Sequence, residues 1–545
     1  MSDKSATDKS EDSCDTPRER ELRLALVCYG GVSLAVYMYG ITGEILKLAR
    51  ASRTYHALPE AERATATYAD AAGERTQGQA PDTEALYFEL LQQLGGRVAL
   101  RVVIDVVAGA SAGGITGIML SRALAFDLNL EQHRDFWLNL ADVSELLDPK
   151  ARAGYWSKLY MRPLFWAAGI WQRRRSRKQG KPVEDPTVLR NLSLFMRSRW
   201  FEPPFSGPRM SEMMYDALCA LGDDKGSRES LLPPGLPLEL FVTTTDFWGY
   251  QQSIRLHDPA EIMEREHRHI FQFRHVRRNS GELESELQQD HLPGLAFAAR
   301  ATSSYPGAFP PAQLDELDTV LKAKGASWPA RDKFLGRQFA PLIAAAENPE
   351  QAAFIDGSVL MNKPISLALQ AIQRHIAHRE TDRRLVYLEP NPDIHRDSEL
   401  EVPGFFKTLK GALSDIPRNQ PIRDDLEWIE QFNDQVRLQR QVVDAVKPNV
   451  LRMIADALGE RLTDPPDVHR LSKLRSAANA RAAGDAAYAY EGYARLKVMS
   501  LIDDISRLLW KGKALTSRTK AQKLVSDWAE LQRILPMGQA ATDAQ

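Results

Sequence analysis

Val102-Val103-Ile104-Asp105-Val106-Val107-Ala108-Gly109-Ala110-Ser111-Ala112-Gly113 carries an apolar, β-branched run straight into a Gly-x-Ser-x-Gly turn, and Ile115 to Leu124 continues as an apolar helical run. The pattern predicts strand, sharp turn and helix, the signature of an α/β domain. A serine on such a turn is pushed into a bend that exposes its hydroxyl at a helix N-terminus, the placement of a nucleophile. Gly109 and Gly113 allow a tight turn and a close helix–strand approach that a Cβ would obstruct. Taken alone, the stretch also fits a small-residue turn with no chemistry.

The rest of the composition narrows the class. A chain of 545 residues can bury a large core without disulfides or metal, and its length predicts two units or more. Lysine and arginine number 70 against 72 aspartate and glutamate, so no global charge points to nucleic acid. The three cysteines, Cys14, Cys28 and Cys219, have neither Cys-x-x-Cys spacing nor a histidine pairing that suggests a metal cage. A reducing, cytoplasmic setting fits that usage. Residues 1–20 are polar and charged without an apolar core, so they are expected to be a disordered tail rather than a secretory signal.

Leu24 to Gly43 is free of charge and long enough to nominate a membrane span. Chemically it splits in two. Leu22 to Cys28 reads as a buried strand, Tyr29-Gly30-Gly31 as a turn, and Leu34 to Leu48 as a helix, which is the preferred reading. Two glycine amides unobstructed by side chains, with a helix directly behind them, can stabilise negative charge. Gly30 and Gly31 therefore look like part of an oxyanion hole. A nucleotide-binding loop is the rival, but neither Gly-x-Gly-x-x-Gly nor Gly-x-x-x-x-Gly-Lys-[Ser/Thr] occurs at either glycine turn.

Phe354-Ile355-Asp356-Gly357-Ser358 places a carboxylate at the end of a short apolar strand, followed by a glycine that leaves room for another group. Asp-Gly is also a common turn pair. In this order, the glycine hole, the serine elbow and the late Asp-Gly resemble the patatin-like acyl hydrolases. Ala298-Ala299-Arg300-Ala301-Thr302-Ser303-Ser304-Tyr305-Pro306-Gly307-Ala308-Phe309-Pro310-Pro311 is similar to the segment those domains carry before their aspartate strand. Val359 to Pro364 likewise resembles their Asp-Gly-Gly-x-x-x-Asn-x-Pro continuation, and the opening stretch is most similar to bacterial patatin-like proteins. The resemblance covers roughly residues 22–395.

It implies an α/β fold: a three-layer sandwich around a central, mostly parallel sheet. It also implies a lipid acyl hydrolase of phospholipase A or lysophospholipase type, without cofactor or metal. Ser111 is the implied nucleophile and Asp356 the base. Amides of Gly30, Gly31 and Ala112 form the implied oxyanion hole, with Gly109 and Gly113 shaping the elbow and Gly357 and Ser358 the carboxylate motif. The chain departs from the family in two places. Tyr29, Ser33 and Leu34 stand where Gly-Gly-Gly-x-[Lys/Arg]-Gly would have a glycine, a basic residue and a glycine, and Ser358 replaces the second glycine of Asp-Gly-Gly.

An α/β-hydrolase would use the same elbow but in the order Ser, acid, His. The histidines after Asp356 are His375, His378, His395 and His469. The first two lie on a periodic helix where surface histidines are usual, and His395 sits in a proline-bounded loop. Only one convincing strand precedes Ser111, where that fold has several. A third reading is a non-catalytic lipid-binding scaffold, prompted by the altered glycine motif.

The expected organisation is a hydrolase domain at 21–395 with insertions at about 51–82 and 128–235, then a helical region at 396–545. Leu238 to Asp246 reads as a strand near the site, with Asp246 structural, and Arg383 to Glu389 as the last core strand. Trp156, Tyr160, Phe165, Trp166 and Trp171 lead into Arg173, Arg174, Arg175, Arg177 and Lys178, a pattern that docks on anionic lipid surfaces or packs as ordinary core and solvated face. The implied partner is a lipid substrate, a membrane phospholipid, met by transient contact with the membrane surface, and no nucleic acid. Beyond 396, apolar stripes such as Ile429, Phe432, Val436, Val443 and Val446, and Val498, Leu501, Ile502, Ile505, Leu508 and Leu509, predict helices divided by Pro448, Pro465 and Pro466.

Overall fold

The computed structural model describes residues 18–31, 35–73, 82–130, 203–222, 230–256, 259–377, 379–389, 420–458, 467–512 and 517–532, with 408 and 416. Trp156, Trp166, Trp171 and the basic cluster from Arg173 to Lys178 lie outside the described residues, as do His378, His395, Pro465 and Pro466. Two compact units are present, one up to Asp425 and one from Leu426.

The first unit is built on a seven-stranded sheet. Its strands are β1 (Arg18–Cys28), β2 (Val98–Ala110), β3 (Leu238–Arg255), β4 (Glu261–Arg277), β5 (Leu283–Ser285), β6 (Phe354–Asp356) and β7 (Glu380–Leu388). The order is β5-β4-β3-β2-β1-β7, with β6 paired to β3. Strands β7, β1, β2 and β3 run parallel, while β4, β5 and β6 pair antiparallel. The helices of this unit are α1 (Ala35–Ala57), α2 (Thr83–Gly95), α3 (Ala112–Phe126), α4 (Gly207–Ala220), α5 (Leu292–Thr302), α6 (Leu314–Lys324), α7 (Arg331–Gln338), α8 (Ser358–Met361) and α9 (Ile365–Arg374), besides short turns of helix.

Strand periodicity explains the layers. Leu24, Leu26 and Cys28 face the large core that contains residues of α1, α3 and α5, whereas Ala25, Val27 and the following Tyr29 face a second cluster with Ile365, Ala368 and Ala371 of α9. Both faces of β1 are thus covered, which is why the strand reads as a continuous apolar run. Every residue of α3 is buried, so its apolar character extends around the helix instead of forming a stripe. This is the α/β sandwich expected from the sequence.

Several local expectations change. Leu24 to Gly43 is strand, glycine turn and helix, and among the described residues no helix is long and apolar enough to cross a membrane. Arg18 to Arg20, expected in a disordered tail, instead extend β1 opposite Val98 to Leu100, with Arg20 paired to Glu380 at 2.6 Å. Helix α1 does not stop at Leu48. It continues to Ala57 because Ser52, Thr54 and Tyr55 are buried, Tyr55 packing edge-on to Phe88 of α2. Strand β4 has no counterpart in the sequence reading. Its first residues, Glu261 to Arg265, are exposed and largely charged, and they are held by pairing with β3 rather than by burial.

Midway along β2, at the bulge where its register with β1 shifts, Asp105 is fully buried. It receives Arg383 Nη1 at 2.9 Å and His375 Nδ1 at 3.0 Å. His375, expected on a surface, is therefore an internal group, its side chain 3% exposed. It caps α9 and bridges toward Glu239 of β3 at 3.7 Å. Burial opposes its charge, but the hydrogen bond to Asp105 and the nearby Glu239 carboxylate outweigh that cost and raise its pKa.

The second unit is helical among its described residues. Helix α10 (Arg423–Leu458) enters it, followed by α11 (Val468–Lys511) and α12 (Arg518–Leu531). Pro448 does not divide α10 but lies inside it. A proline removes one hydrogen bond and can be carried within a long helix whose other turns hold. Ile502, Val525 and Ala529 form a small core with Val498, Ile505 and Leu509, while Leu501 and Leu508 of the predicted stripe are exposed.

Candidate active site

Ser111 occupies the single-residue bend between β2 and α3, with φ 52° and ψ −127°. A non-glycine residue at such angles stores strain of about 1–3 kcal/mol, which persists only where the surroundings enforce it. Two hydrogen bonds and two close glycine approaches enforce it here. The Ser111 N–H donates to Thr302 Oγ1 at 2.8 Å, and the Thr302 hydroxyl donates to the Thr243 carbonyl at 2.7 Å, tying the bend to α5 and β3. A Cβ on Gly109 would come within 2.6 Å of the Gly113 carbonyl carbon, and one on Gly113 within 2.7 Å of the Tyr29 carbonyl oxygen. Only glycine fits at either place.

The sheet brings the other parts in. Cys28 stands opposite Gly109 in the β1–β2 register, so Tyr29-Gly30-Gly31 leaves β1 beside the elbow. Thr244 of β3 pairs with Asp356 of β6, one position past the pairing of Ala110 with Thr243. Asp356 and Ser111 are both fully buried, and the Ser111 hydroxyl donates to Asp356 Oδ2 at 2.8 Å across 245 residues of sequence. The other carboxylate oxygen accepts the Ser358 N–H at 2.8 Å, while the main chain is pinned by Asp356 N–H to Ser304 O at 3.0 Å and by Thr245 Oγ1 to Asp356 O at 3.2 Å. Gly357 is required at its place, because a Cβ there would lie 2.6 Å from Thr243 Oγ1.

The glycine turn is engaged in a way the sequence did not suggest. The Gly30 N–H donates to Asn362 Oδ1 at 3.0 Å, and Asn362 N–H in turn donates to Gln420 Oε1 at 3.1 Å. Thr302 and Asn362 both fall in stretches that matched the family pattern, yet their partners are 191 and 332 residues away and no local signal names them. Arg300 of the same stretch is a buried strut. It donates to Glu316 at 3.0 Å and to the Pro310 carbonyl at 3.0 Å, holding the loop after α5.

Among the described residues no histidine stands between the serine and the acid. His269 lies near the aspartate strand, but it is wedged among Phe271, Phe339 and Phe354, and burial pushes its pKa down to about 4. It is a neutral core group. His375 serves Asp105, six residues before Ser111 on β2, about 20 Å away at strand rise. Asp246 has the expected turn role, its Oδ1 accepting the Trp248 N–H at 3.0 Å, and burial raises its pKa. Burial also pushes the Cys28 thiol up to about 12, which removes it as a nucleophile.

An α/β sandwich with a strained serine elbow and a carboxylate in direct hydrogen bond defines a class of fold and site. A family model described as patatin-like phospholipase matches residues 85–369, more than half of the chain. The chain belongs to the patatin-like phospholipase family. Gly30 and Gly31 lie ahead of the matched span. The chain is also 27% identical over 430 residues to an uncharacterized membrane protein of Mycobacterium tuberculosis, an alignment that takes in 77% of this chain and 32% of that protein. It thus spans about a third of the length of that curated relative. No solved structure matches.

Proposed function

We propose that the chain is a lipid acyl hydrolase, of phospholipase A or lysophospholipase type, that cleaves fatty-acyl esters through a Ser111–Asp356 dyad and an acyl-enzyme. The observation that carries this reading is the 2.8 Å hydrogen bond from Ser111 Oγ to Asp356 Oδ2 in a fully buried setting. Asp356 takes the Ser111 proton as Oγ bonds to the ester carbonyl carbon, and the carbonyl π pair moves to oxygen. That charge is met by the amides of Gly31 and Ala112, and by that of Gly30 once the substrate oxygen displaces Asn362 Oδ1. Collapse of the tetrahedral species breaks the bond to the alcohol, which leaves with the proton from Asp356. Water then attacks the acyl-enzyme by the same route and releases the fatty acid.

A carboxylate is a weak base for an alcohol in water, and exclusion of water from the pair is what makes the transfer feasible. The substrate of such an enzyme resides in a lipid aggregate, so the reading includes transient contact with a membrane surface by a cytoplasmic protein. The aromatic and basic stretch from Trp156 to Lys178 is the proposed contact. Fluorophosphonate labelling tests the dyad, because it reports an activated serine whatever the lipid. Labelling of the wild type that disappears in both Ser111→Ala and Asp356→Ala supports the hydrolase. An unlabelled wild type favours a scaffold, and loss of turnover on substituting any one histidine would replace the dyad by a triad.

A further inference from the structure

Ser358 stands where the family pattern has the second glycine of Asp-Gly-Gly, so a hydroxyl has been added at a position that otherwise carries none. The residue is fully buried, and its Oγ has no hydrogen-bond partner among the described residues. Its main-chain N–H is committed to Asp356 Oδ1 at 2.8 Å, which fixes the residue beside the acid. The position where Gly30 would carry a Cβ lies 3.1 Å from the Ser358 Cβ and 3.2 Å from the Ser111 Cβ. Ser358, the nucleophile and the glycine turn therefore share one wall.

A buried hydroxyl without a partner calls for an explanation, and one that lies beside the nucleophile is placed to meet an acceptor that arrives with the substrate. In the same corner the Gly30 N–H is given to Asn362 Oδ1 and reaches a substrate oxygen only by exchanging that partner. We propose that the Ser358 hydroxyl is a catalytic oxyanion donor, bonding the ester carbonyl oxygen as negative charge builds on it. The inference rests on the acyl hydrolase reading above. The Ser358 hydroxyl keeps its own proton throughout. The only proton that moves in the first step passes from Ser111 Oγ to Asp356, and the hydroxyl meets the electron pair displaced onto oxygen.

The test uses the full chain, a soluble p-nitrophenyl ester and a fluorophosphonate probe. Ser358→Ala and Ser358→Gly, the second restoring the family residue, are each expected to lower kcat by about 10²-fold, the effect of removing one oxyanion donor. KM should stay within about twofold, and thermal stability should be unchanged or higher, because an unsatisfied buried group has been removed. Ser358→Cys, close in size but a poor donor, should resemble the alanine variant. Wild-type kcat in Ser358→Ala or Ser358→Gly, or a change confined to KM, overturns the proposal while leaving the dyad intact. A wild type that neither reacts with the probe nor turns over the ester overturns the hydrolase reading and this inference with it.

Discussion

Thr302 holds the backbone of Ser111 in place: its Oγ1 accepts the serine N–H at 2.8 Å while its own hydrogen goes to the Thr243 carbonyl at 2.7 Å. One side chain thus links α5, β3 and the nucleophile's strained bend. Thr302→Val keeps the shape but strands a buried donor and a buried acceptor, each worth about 1–3 kcal/mol. We expect a melting temperature lower by several degrees, together with a labelling rate at Ser111 reduced more than stability alone requires. Thr302→Ser should recover most of both.

The dyad makes a sharper demand. Ser111→Ala and Asp356→Asn should each lower turnover by at least about 10⁴-fold, and the double variant should be scarcely worse than either alone, as for groups that act as one unit. Steady-state kinetics with a chromogenic ester would measure it. Additive losses would argue that the two side chains serve different steps.

Gly357 tests how tightly the acid is seated. A Cβ at this position would lie 2.6 Å from Thr243 Oγ1 and closer still to the Thr243 main chain. Relief requires β6 to move off β3, so Gly357→Ala should destabilise by roughly 1–3 kcal/mol or more and break the Ser111–Asp356 contact. Thermal melting and probe labelling read the two effects separately. A variant that melts normally and labels at the wild-type rate would contradict the packing described.

His375 predicts a pH dependence of stability unrelated to catalysis. Its folded pKa is raised above the ordinary 6.5, with burial opposing the charge and the Asp105 hydrogen bond and the nearby Glu239 carboxylate overcoming it. A raised pKa means that the stabilisation is fully present below about 6.5 and is lost as pH climbs through the folded value. The gap in melting temperature between wild type and His375→Gln should therefore be widest near about pH 6 and close at alkaline pH. A gap that widens with pH would show that the histidine is held neutral.

How much of this was legible in the sequence depends on the range of the interaction. Gly109, Ser111, Gly113, Asp356 and Gly357 sit in motifs whose constraints are local, a bend between a strand and a helix or a strand end with no room for a Cβ, and such constraints leave short readable patterns. Thr302 and Asn362 are equally involved in the geometry, but their partners are brought by the sheet from the far side of the domain. Nothing in their neighbourhoods announces that. Strand β4 escaped for a different reason: its first half is held by backbone pairing with β3 and carries Glu261, Glu264 and Arg265 on exposed positions, so apolar alternation is missing. Pro448 shows the opposite error, a strong local breaker overridden by the continuity of a 36-residue helix.

The register that sets Cys28 against Gly109 has an evolutionary corollary. Distance between the glycine turn and the nucleophile is dictated by adjacent strands, not by the stretch of polypeptide joining them. Likewise Asp356 docks through three residues on β3, whatever lies upstream. Segments can lengthen, shorten or be exchanged between these anchor points while the reactive atoms keep their spacing, so lineages sharing this framework are free to diversify in what surrounds the cleft before altering what happens inside it.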